Sequence, residues 1–298
     1  MVGIWLWRLF IAAVLIGTAI LYMRGWLKLQ QYSASRRSRY LRQSARRAAM
    51  LFLAGVSIVA IALLSPIYPL ASDYFSVRVT QHLLLIGSGP ALIMTSNPLP
   101  VLVQGLPPAW RRRLVAPAAV GGVTPHVSRL LANPGVIWLL FAAVFWMWYD
   151  PVLHDATIRY PWIRPLEVLS LFTVACLYWW HITAALPRPR STLPPLLRVF
   201  FTFVAVFTIK LVGLIVMFSP DTIYHYPHSF RFSGLTVDDQ QLGGIIFWFL
   251  GGLVYGTAAF LLVREWLGQE EEKSPLPESA WATEESMLAP GLKQNPYR

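Results

Sequence analysis

The sequence is poor in charged residues and has a single cysteine. Charged side chains make up 13% of the 298 residues, whereas hydrophobic side chains make up 56%. A soluble domain usually carries about 25% charged residues, and a chain this apolar would leave too little polar surface to cover its core. Cys176 has no second cysteine in the chain with which to form a disulfide. We therefore expect a membrane protein that has lipid as a partner and no disulfide framework.

The sequence also lacks the short motifs that accompany catalysis and nucleic-acid binding. It has no nucleophile elbow, phosphate-binding loop, HExxH motif or haem attachment signal, so we predict that it is not an enzyme. The net charge of +11 could suggest nucleic acid. However, most basic residues lie in short loops beside apolar runs, where they orient a membrane protein, and no recognition motif accompanies them. Nucleic acid is therefore not an expected partner.

Seven apolar runs approach the length of about 20 residues that a membrane-spanning helix needs. They lack the alternation of barrel strands, so we predict an all-α bundle of about seven transmembrane helices. The predicted spans are Ile4–Met23, Ala48–Leu64, Val77–Thr95, Gly135–Val152, Pro165–Ala184, Leu197–Phe218 and Leu242–Val263. We expect the first to be a retained helix, because a dense basic run follows it. Residues 1–267 thus form the predicted membrane domain, and residues 268–298 a polar, disordered tail.

Lysine and arginine are concentrated in alternate loops of this topology. The first loop contains Arg24, Lys28, Arg36, Arg37, Arg39, Arg42, Arg46 and Arg47. Because basic loops stay in the cytoplasm, the N-terminus is predicted to lie outside and the C-terminus in the cytoplasm.

Polar residues that are unusual in a membrane gather near the predicted outer surface. Arg78, Gln81 and His82 share one face of a helix at positions i, i+3 and i+4. Such groups are costly in lipid, so we expect them to point into the bundle, either as a ligand or partner site or as an interhelical hydrogen-bond network. The other residues of this predicted outer site are His154, Asp155, Glu167, Lys210, Asp239, Gln240 and Gln241.

Besides Arg78, two charged residues in this set lie inside predicted spans. Glu167 is one turn inside the fifth span, where Arg78 or Arg164 could neutralise it as a structural ion pair. Lys210 is about two turns inside the sixth span. An intramembrane lysine is a functional candidate, although its long side chain can also extend to the membrane surface.

A copper site is the metal hypothesis that the sequence raises. Copper(I) binds imidazole and soft sulfur ligands, and the last outer loop is rich in histidine and tyrosine. The candidate ligands are His82, His154, His225, His228, Met147 and Met217. No tight ligand spacing such as CxxC or HxxxH is present. Solvated loop histidines and methionines that simply fill apolar space are the alternative interpretation.

The last span begins with four polar residues and contains a small-residue motif. Acidic side chains such as Asp239 suit a helix N-terminus, where backbone donors are unpaired. Gly252 and Gly256 form a GxxxG motif, which permits close helix packing.

Several segments resemble the CtaG-type cytochrome c oxidase assembly factors, the group associated with caa-type oxidases. They are Gln81-His82-Leu83-Leu84-Leu85, Ser96-Asn97-Pro98, Trp148-Tyr149-Asp150-Pro151 with His154-Asp155-Ala156, Glu167 with Trp179-Trp180, and Asp239-Gln240-Gln241-Leu242-Gly243-Gly244 with Trp248, Gly251 and Gly252. The resemblance covers roughly Ala48 to Trp266, and the final signature is its most specific part.

The resemblance implies a multi-pass protein of the bacterial cytoplasmic membrane that helps a haem–copper oxidase to mature. It places the action at copper insertion or subunit maturation on the outer face. The implied partner is an oxidase subunit or a copper chaperone, and the one implied cofactor is copper, bound transiently.

Three positions depart from the family pattern. Histidine is common in the family where this chain has Arg78, Tyr149 and Val168. If those histidines bind metal in relatives, only His82 survives here, and His154 lies near one displaced position. Tyr149 is therefore included in the predicted outer site.

A membrane transporter of copper or another small solute is the alternative function. It would need a polar path across the membrane, for which Lys210 and Cys176 are the midplane candidates. This sparse chemistry favours the assembly function. A membrane enzyme is a third possibility, for which no cooperating nucleophile or acid–base pair is evident.

Overall fold

A computed structural model describes residues 2–34, 39–111, 130–186, 193–228 and 237–271, and these parts of the chain are helical without a strand. The α-helices are α1 (Val2–Ala34), α2 (Arg39–Leu64), α3 (Ile67–Leu70), α4 (Phe75–Leu83), α5 (Gly89–Thr95), α6 (Pro98–Gly105), α7 (Pro134–Trp148), α8 (Pro151–Arg159), α9 (Ile163–Ile182), α10 (Pro195–Phe218), α11 (Asp239–Ile246) and α12 (Gly252–Glu271). Two π-helical segments, π1 (Leu84–Ser88) and π2 (Phe247–Gly251), join α4 to α5 and α11 to α12.

Side-chain caps and prolines explain where three of these helices begin. The side chain of Asn133 accepts hydrogen bonds from the first free amides of α7, and Asp150 does the same for α8. At α11, Asp238 and Gln241 form a reciprocal capping box. These oxygens satisfy backbone donors that a helix N-terminus leaves unpaired, and proline follows the cap in α7 and α8, where it costs no hydrogen bond.

The helices make the protein a multi-pass membrane protein, in agreement with the predicted fold class. Among the described residues, five helical segments are long and apolar enough to cross a membrane, and a sixth span is present if the bent pair α7–α8 counts as one. The predicted third span corresponds to α4, π1 and α5. It is not among these candidates because its polar residues lower its mean hydropathy. The number of seven spans and the orientation of the termini stay predictions.

Several boundaries differ from those predicted. The fourth span was predicted to reach Val152, but α7 ends at Trp148 and α8 leaves it at an angle of 64°. The reason is that Asp150 caps a new helix and Pro151 cannot continue the old one. In addition, α1 continues to Ala34, and the last helix continues to Glu271. The predicted tail beyond that residue lies outside the described residues, as do Arg36 and Arg37 of the basic loop.

Glycines allow the closest approaches between helices. Helix α6, which was not predicted, packs against α1, where Gly25 and Gly105 let the two backbones meet without a side chain between them. Gly213 of α10 and Gly244 of α11 do the same, since a Cβ at Gly244 would lie 2.7 Å from the Gly213 carbonyl oxygen. The predicted GxxxG motif is not such a contact, because a Cβ at Gly256 would meet nothing within 4 Å.

The main core lies among α4, α7, α9, α10 and the α11–α12 segment. Its centre is aromatic, with Phe141, Phe145, Tyr178, Trp179 and Phe247 all at most 2% exposed. This core separates a polar group of side chains at one end of α9 from the opposite end of that helix.

Candidate functional site

Seven polar residues of the predicted outer region meet at one end of the bundle, around the start of α9. We call them the buried polar cluster: Arg78, Gln81, His82, Tyr149, His154, Arg164 and Glu167. Each is at most 5% exposed. Because burying charged groups is costly unless they are paired, the contacts inside this cluster determine whether the helices can pack here.

An ion pair between α4 and α9 forms the centre of the cluster. Nη2 of Arg78 lies 2.5 Å from Oε2 of Glu167, and both side chains are fully buried. Arg78 also donates to the hydroxyl of Thr157 in α8 and, at 3.3 Å, to the carbonyl oxygen of Ala71. Arg78 therefore joins α4, α8, α9 and the residue after α3. This is the Arg78–Glu167 pairing that the sequence suggested.

Arg164 connects the start of α9 to the α2–α4 region. Its guanidinium group donates to the Ser72 hydroxyl, the Tyr68 carbonyl and, at 3.2 Å, Oε1 of Gln81. It also lies 4.0 Å from the centre of the Tyr68 ring. Gln81 in turn donates to the carbonyl oxygen of Ala62 at 2.7 Å. These contacts hold α2, α3 and α4 around Arg164, which is the second buried cation of the cluster.

His82 bridges the ion pair and the end of α7. Its Nδ1 lies 2.7 Å from the Tyr149 hydroxyl oxygen, and its Nε2 lies 3.5 Å from Oε1 of Glu167. Neither His82 Nε2 nor Glu167 Oε1 has a hydrogen-bond partner within the described parts of the chain. The two atoms thus face each other directly, without room for another group between them.

Aromatic side chains close the cluster at the end of the bundle. His154 Nδ1 lies 3.0 Å from the Trp148 carbonyl oxygen, and its Nε2 lies 2.7 Å from the Tyr226 hydroxyl. Tyr224 donates to the Tyr149 carbonyl oxygen at 2.8 Å. Burial raises the pKa of both Tyr224 and Tyr226, which lie in the connection between α10 and α11. Both side chains therefore remain neutral phenols at physiological pH.

The polar residues at the start of α11 have structural partners. Asp239 accepts hydrogen bonds from the Phe75 amide at 2.7 Å and the Ser76 hydroxyl at 2.5 Å, which holds the start of α4. Oε1 of Gln240 accepts from the Ile223 amide at 2.7 Å, and Gln241 completes the capping box. The run of four polar residues is therefore explained by three different backbone attachments.

Besides Asp239, Gln240 and Gln241, two further predicted site residues lie outside the cluster. Asp155 forms a surface ion pair with His225, with 2.8 Å between Oδ2 and Nδ1, and the His225 side chain is 74% exposed. Lys210 places its Nζ 4.3 Å from the centre of the Trp248 ring, a cation–π contact on the α10–α12 side. The structure therefore connects neither residue to the Arg78–Glu167 pair.

Of the predicted copper ligands, His82 and His154 lie in the buried polar cluster, and His225 and His228 lie in the connection between α10 and α11. Within the described ranges, no three His, Cys, Asp or Glu residues are arranged to hold a metal ion. Both nitrogens of His154 have partners, and His225 is paired with Asp155. The ring of His228 lies beside Tyr74, with 5.8 Å between centroids, and Met147 is 41% exposed. The predicted copper site, with the ligand set that includes Met217, therefore stays a prediction.

Four partners of the two arginines were missed from the sequence. They are the hydroxyls of Thr157 and Ser72 and the backbone carbonyls of Tyr68 and Ala71. Thr157 follows His154 by three residues, a spacing that places both on one helix face. A serine or a backbone carbonyl carries no comparable signal.

The chain is similar to one known protein family and to several mycobacterial proteins. A family model described as "Cytochrome c oxidase caa3 assembly factor" matches residues 20–269. The uncharacterized protein Mb0105 of Mycobacterium bovis is 27% identical over 209 residues, which are 67% of this chain and 31% of that protein. The uncharacterized protein ML1998 of Mycobacterium leprae is 25% identical over 204 residues, again 67% of this chain and 31% of the relative. The chain therefore spans about a third of the length of these relatives. No solved structure matches it.

Proposed function

Because this chain belongs to the cytochrome c oxidase caa3 assembly factor family, we propose that it helps a haem–copper cytochrome c oxidase to mature in the bacterial cytoplasmic membrane. The observation that supports this most is the extent of the family match, residues 20–269, which includes the whole buried polar cluster and the helices that hold it. An assembly factor binds its client without turnover, which agrees with a cluster whose groups serve mainly to join helices.

The end of the bundle that carries the buried polar cluster is the proposed contact for an oxidase subunit or a copper chaperone. Arg78 joins α4, α8 and α9, Asp239 joins α11 to α4, and Gln240 and His154 hold the 221–228 segment. A rigid surface loses little conformational entropy when a partner binds. Large apolar side chains are also exposed there, including Val152 at 77% and Trp162 at 68%. In the predicted orientation this end faces outward, where subunit maturation would occur.

Copper is proposed as cargo that the protein contacts only transiently. At this end the imidazoles of His82 and His154 are buried and that of His225 is paired with Asp155, and no three His, Cys, Asp or Glu side chains among the described residues are arranged to hold a metal ion. Delivery of copper would therefore require additional ligands from the oxidase or from a copper chaperone. A contribution to subunit maturation needs no such ligands and is the simpler form of the proposal.

The transporter alternative has less support from the interior. A solute would have to pass from the buried polar cluster through the layer formed by Phe141, Phe145 and Phe247, none of which is measurably exposed. Lys210, the predicted midplane cation, lies against Trp248 instead. A large aromatic core of this kind opposes the passage of a charged solute.

The assembly function is tested by deleting the gene in a strain without a redundant factor. Three quantities are measured in membranes with and without the complementing gene: oxidase subunits, a-type haem absorbance, and copper per haem. We expect the deletion to lower the amount of active oxidase. Copper-poor oxidase at normal subunit levels would indicate copper insertion, whereas loss of the subunits would indicate subunit maturation. Normal, copper-replete oxidase would contradict the proposal, and altered cellular copper in that case would favour a transporter.

A further inference from the structure

Two cavities meet at the end of α9 opposite the buried polar cluster. The first has a volume of about 620 Å³ and a largely apolar lining, contributed by α2, α5, α9 and α12. Leu51, Leu92, Trp179, Ala258 and Leu262 are among its walls. This volume lies in the range of about 300–1,000 Å³ that is typical of sites for small ligands.

The second cavity is polar and continues from the first. Its volume is about 570 Å³, and its lining includes Asn97, Thr183 and Gln269. Thr183, Arg198 and Glu265 line both cavities, so these residues mark the junction between an apolar chamber and a polar one. A molecule that filled both would need an apolar tail and a polar head.

The side chain of Arg198 indicates that the polar head of such a molecule is negatively charged. The residue is only 7% exposed, yet its Nε has no hydrogen-bond partner within the described parts of the chain. Its sole described carboxylate contact is a loose one, with 3.3 Å between Nη2 and Oε1 of Glu265. The Glu265 side chain is 48% exposed, so it can turn into water and release the guanidinium group. A phosphate group can accept two parallel hydrogen bonds from one guanidinium group.

The backbone around the polar cavity is held in a fixed shape. Asn97 and Ala184, which both line it, have positive φ angles of 53° and 50°. The Asn97 side chain accepts a hydrogen bond from the Leu186 amide at 2.9 Å, which joins the end of α5 to the end of α9. The wall of the polar cavity is therefore held by backbone conformation and by a hydrogen bond between the two helix ends, as well as by side-chain packing.

We propose that an anionic glycerophospholipid binds here, with one acyl chain in the apolar cavity and its phosphate beside Arg198. The apolar lining accounts for the chain, and the buried, incompletely paired guanidinium accounts for the phosphate. A partner helix is a poorer fit. With its side chains it is about 10–12 Å wide, so a single turn would fill most of the cavity. Basic pockets between transmembrane helices are a known way of binding anionic head groups.

The proposal is tested by lipid binding to the full-length protein in mild detergent. Phosphatidylglycerol is titrated in native mass spectrometry, with a diacylglycerol of the same chains as the probe without phosphate. We expect Arg198→Gln to lower phosphatidylglycerol binding about tenfold, as the loss of a charge-assisted hydrogen bond would. Glu265→Gln should instead strengthen binding, because it removes the carboxylate that competes for Arg198. Binding of diacylglycerol should be unaffected by either change.

A second variant tests the cavity without altering charge. Ala258→Phe places a ring in the apolar cavity and should also lower phosphatidylglycerol binding. Ala143→Phe is the matched control, because Ala143 is exposed on α7 and the same side chain is added there. Thermal stability and gel-filtration behaviour identify any variant that does not fold. Unchanged binding in both Arg198→Gln and Ala258→Phe would overturn the proposal, as would weaker binding in Glu265→Gln.

Discussion

The Arg78–Glu167 ion pair allows a quantitative prediction about what holds the bundle together. Glu167 is the carboxylate of the buried polar cluster, and two arginines, Arg78 and Arg164, lie around it with at most 5% exposure. Glu167→Gln keeps the shape but leaves these cations without their counter-charge. Breaking a buried ion pair by removing one partner costs about 3–5 kcal/mol. Because an amide oxygen can still accept from Arg78, we expect a loss of unfolding free energy near the lower end, about 3 kcal/mol.

The assay is unfolding of the detergent-purified protein, followed by tryptophan fluorescence during titration with a denaturing detergent. Asp155→Asn is the matched control, since it makes the same carboxylate-to-amide change in the surface pair with His225, where about 0–1 kcal/mol is expected. Adding Arg78→Met to Glu167→Gln should recover part of the loss, because it removes one uncompensated cation. If Glu167→Gln is no more destabilising than Asp155→Asn, the ion pair does not hold the cluster, and the reasoning fails.

Three further predictions concern the same end of the bundle. Tyr149→Phe should lower the free energy of unfolding by about 1–3 kcal/mol, because it leaves Nδ1 of the buried His82 without its hydrogen-bond partner. An unchanged free energy of unfolding would show that this 2.7 Å contact does not stabilise the protein. Gly244→Ala should lower the free energy of unfolding by about 1–3 kcal/mol, since the new Cβ would lie 2.7 Å from a backbone oxygen of α10. Gly256→Ala is the control, because a Cβ there faces open space and should leave stability unchanged or raise it slightly. Burial raises the pKa of Tyr226, so its side chain stays a neutral phenol in the folded state at pH values where the unfolded chain ionises. The free energy of unfolding should therefore fall as the pH rises above about 10, where unfolded tyrosine ionises. Tyr226→Phe should make that fall shallower, and an identical pH profile would contradict this.

Local chemistry made part of the site predictable. The i, i+3, i+4 spacing correctly placed Arg78, Gln81 and His82 on an inward face, because a helix fixes that geometry and lipid excludes such groups. Glu167 was expected on the same grounds to pair with Arg78 or Arg164, since a carboxylate in a membrane needs a nearby cation, and the structure gives the direct contact to Arg78. The all-helical membrane fold followed from the apolar runs.

Contacts between distant segments could not be read in the same way. Asp239 was expected to suit the N-terminus of its own helix, but it accepts from Phe75 and Ser76 of α4, which only the packing of α11 against α4 brings near. Lys210 was included in the outer site because an intramembrane lysine is a functional candidate, yet its side chain contacts Trp248. Helix α6 was missed because eight residues rich in proline resemble a loop when their packing against α1 is unknown.

The central claim is that the end of the bundle with the buried polar cluster supports oxidase maturation. The most direct measurement is the amount of assembled oxidase, from a-type haem absorbance and activity, in a deletion strain that carries His82→Ala, the exposed-site variant Ala143→Phe or the wild type at equal protein levels. The account predicts that His82→Ala lowers assembled oxidase while Ala143→Phe leaves it near the wild-type level. Full assembly with His82→Ala, in cells where the deletion itself abolishes it, would contradict the assignment of function to this end.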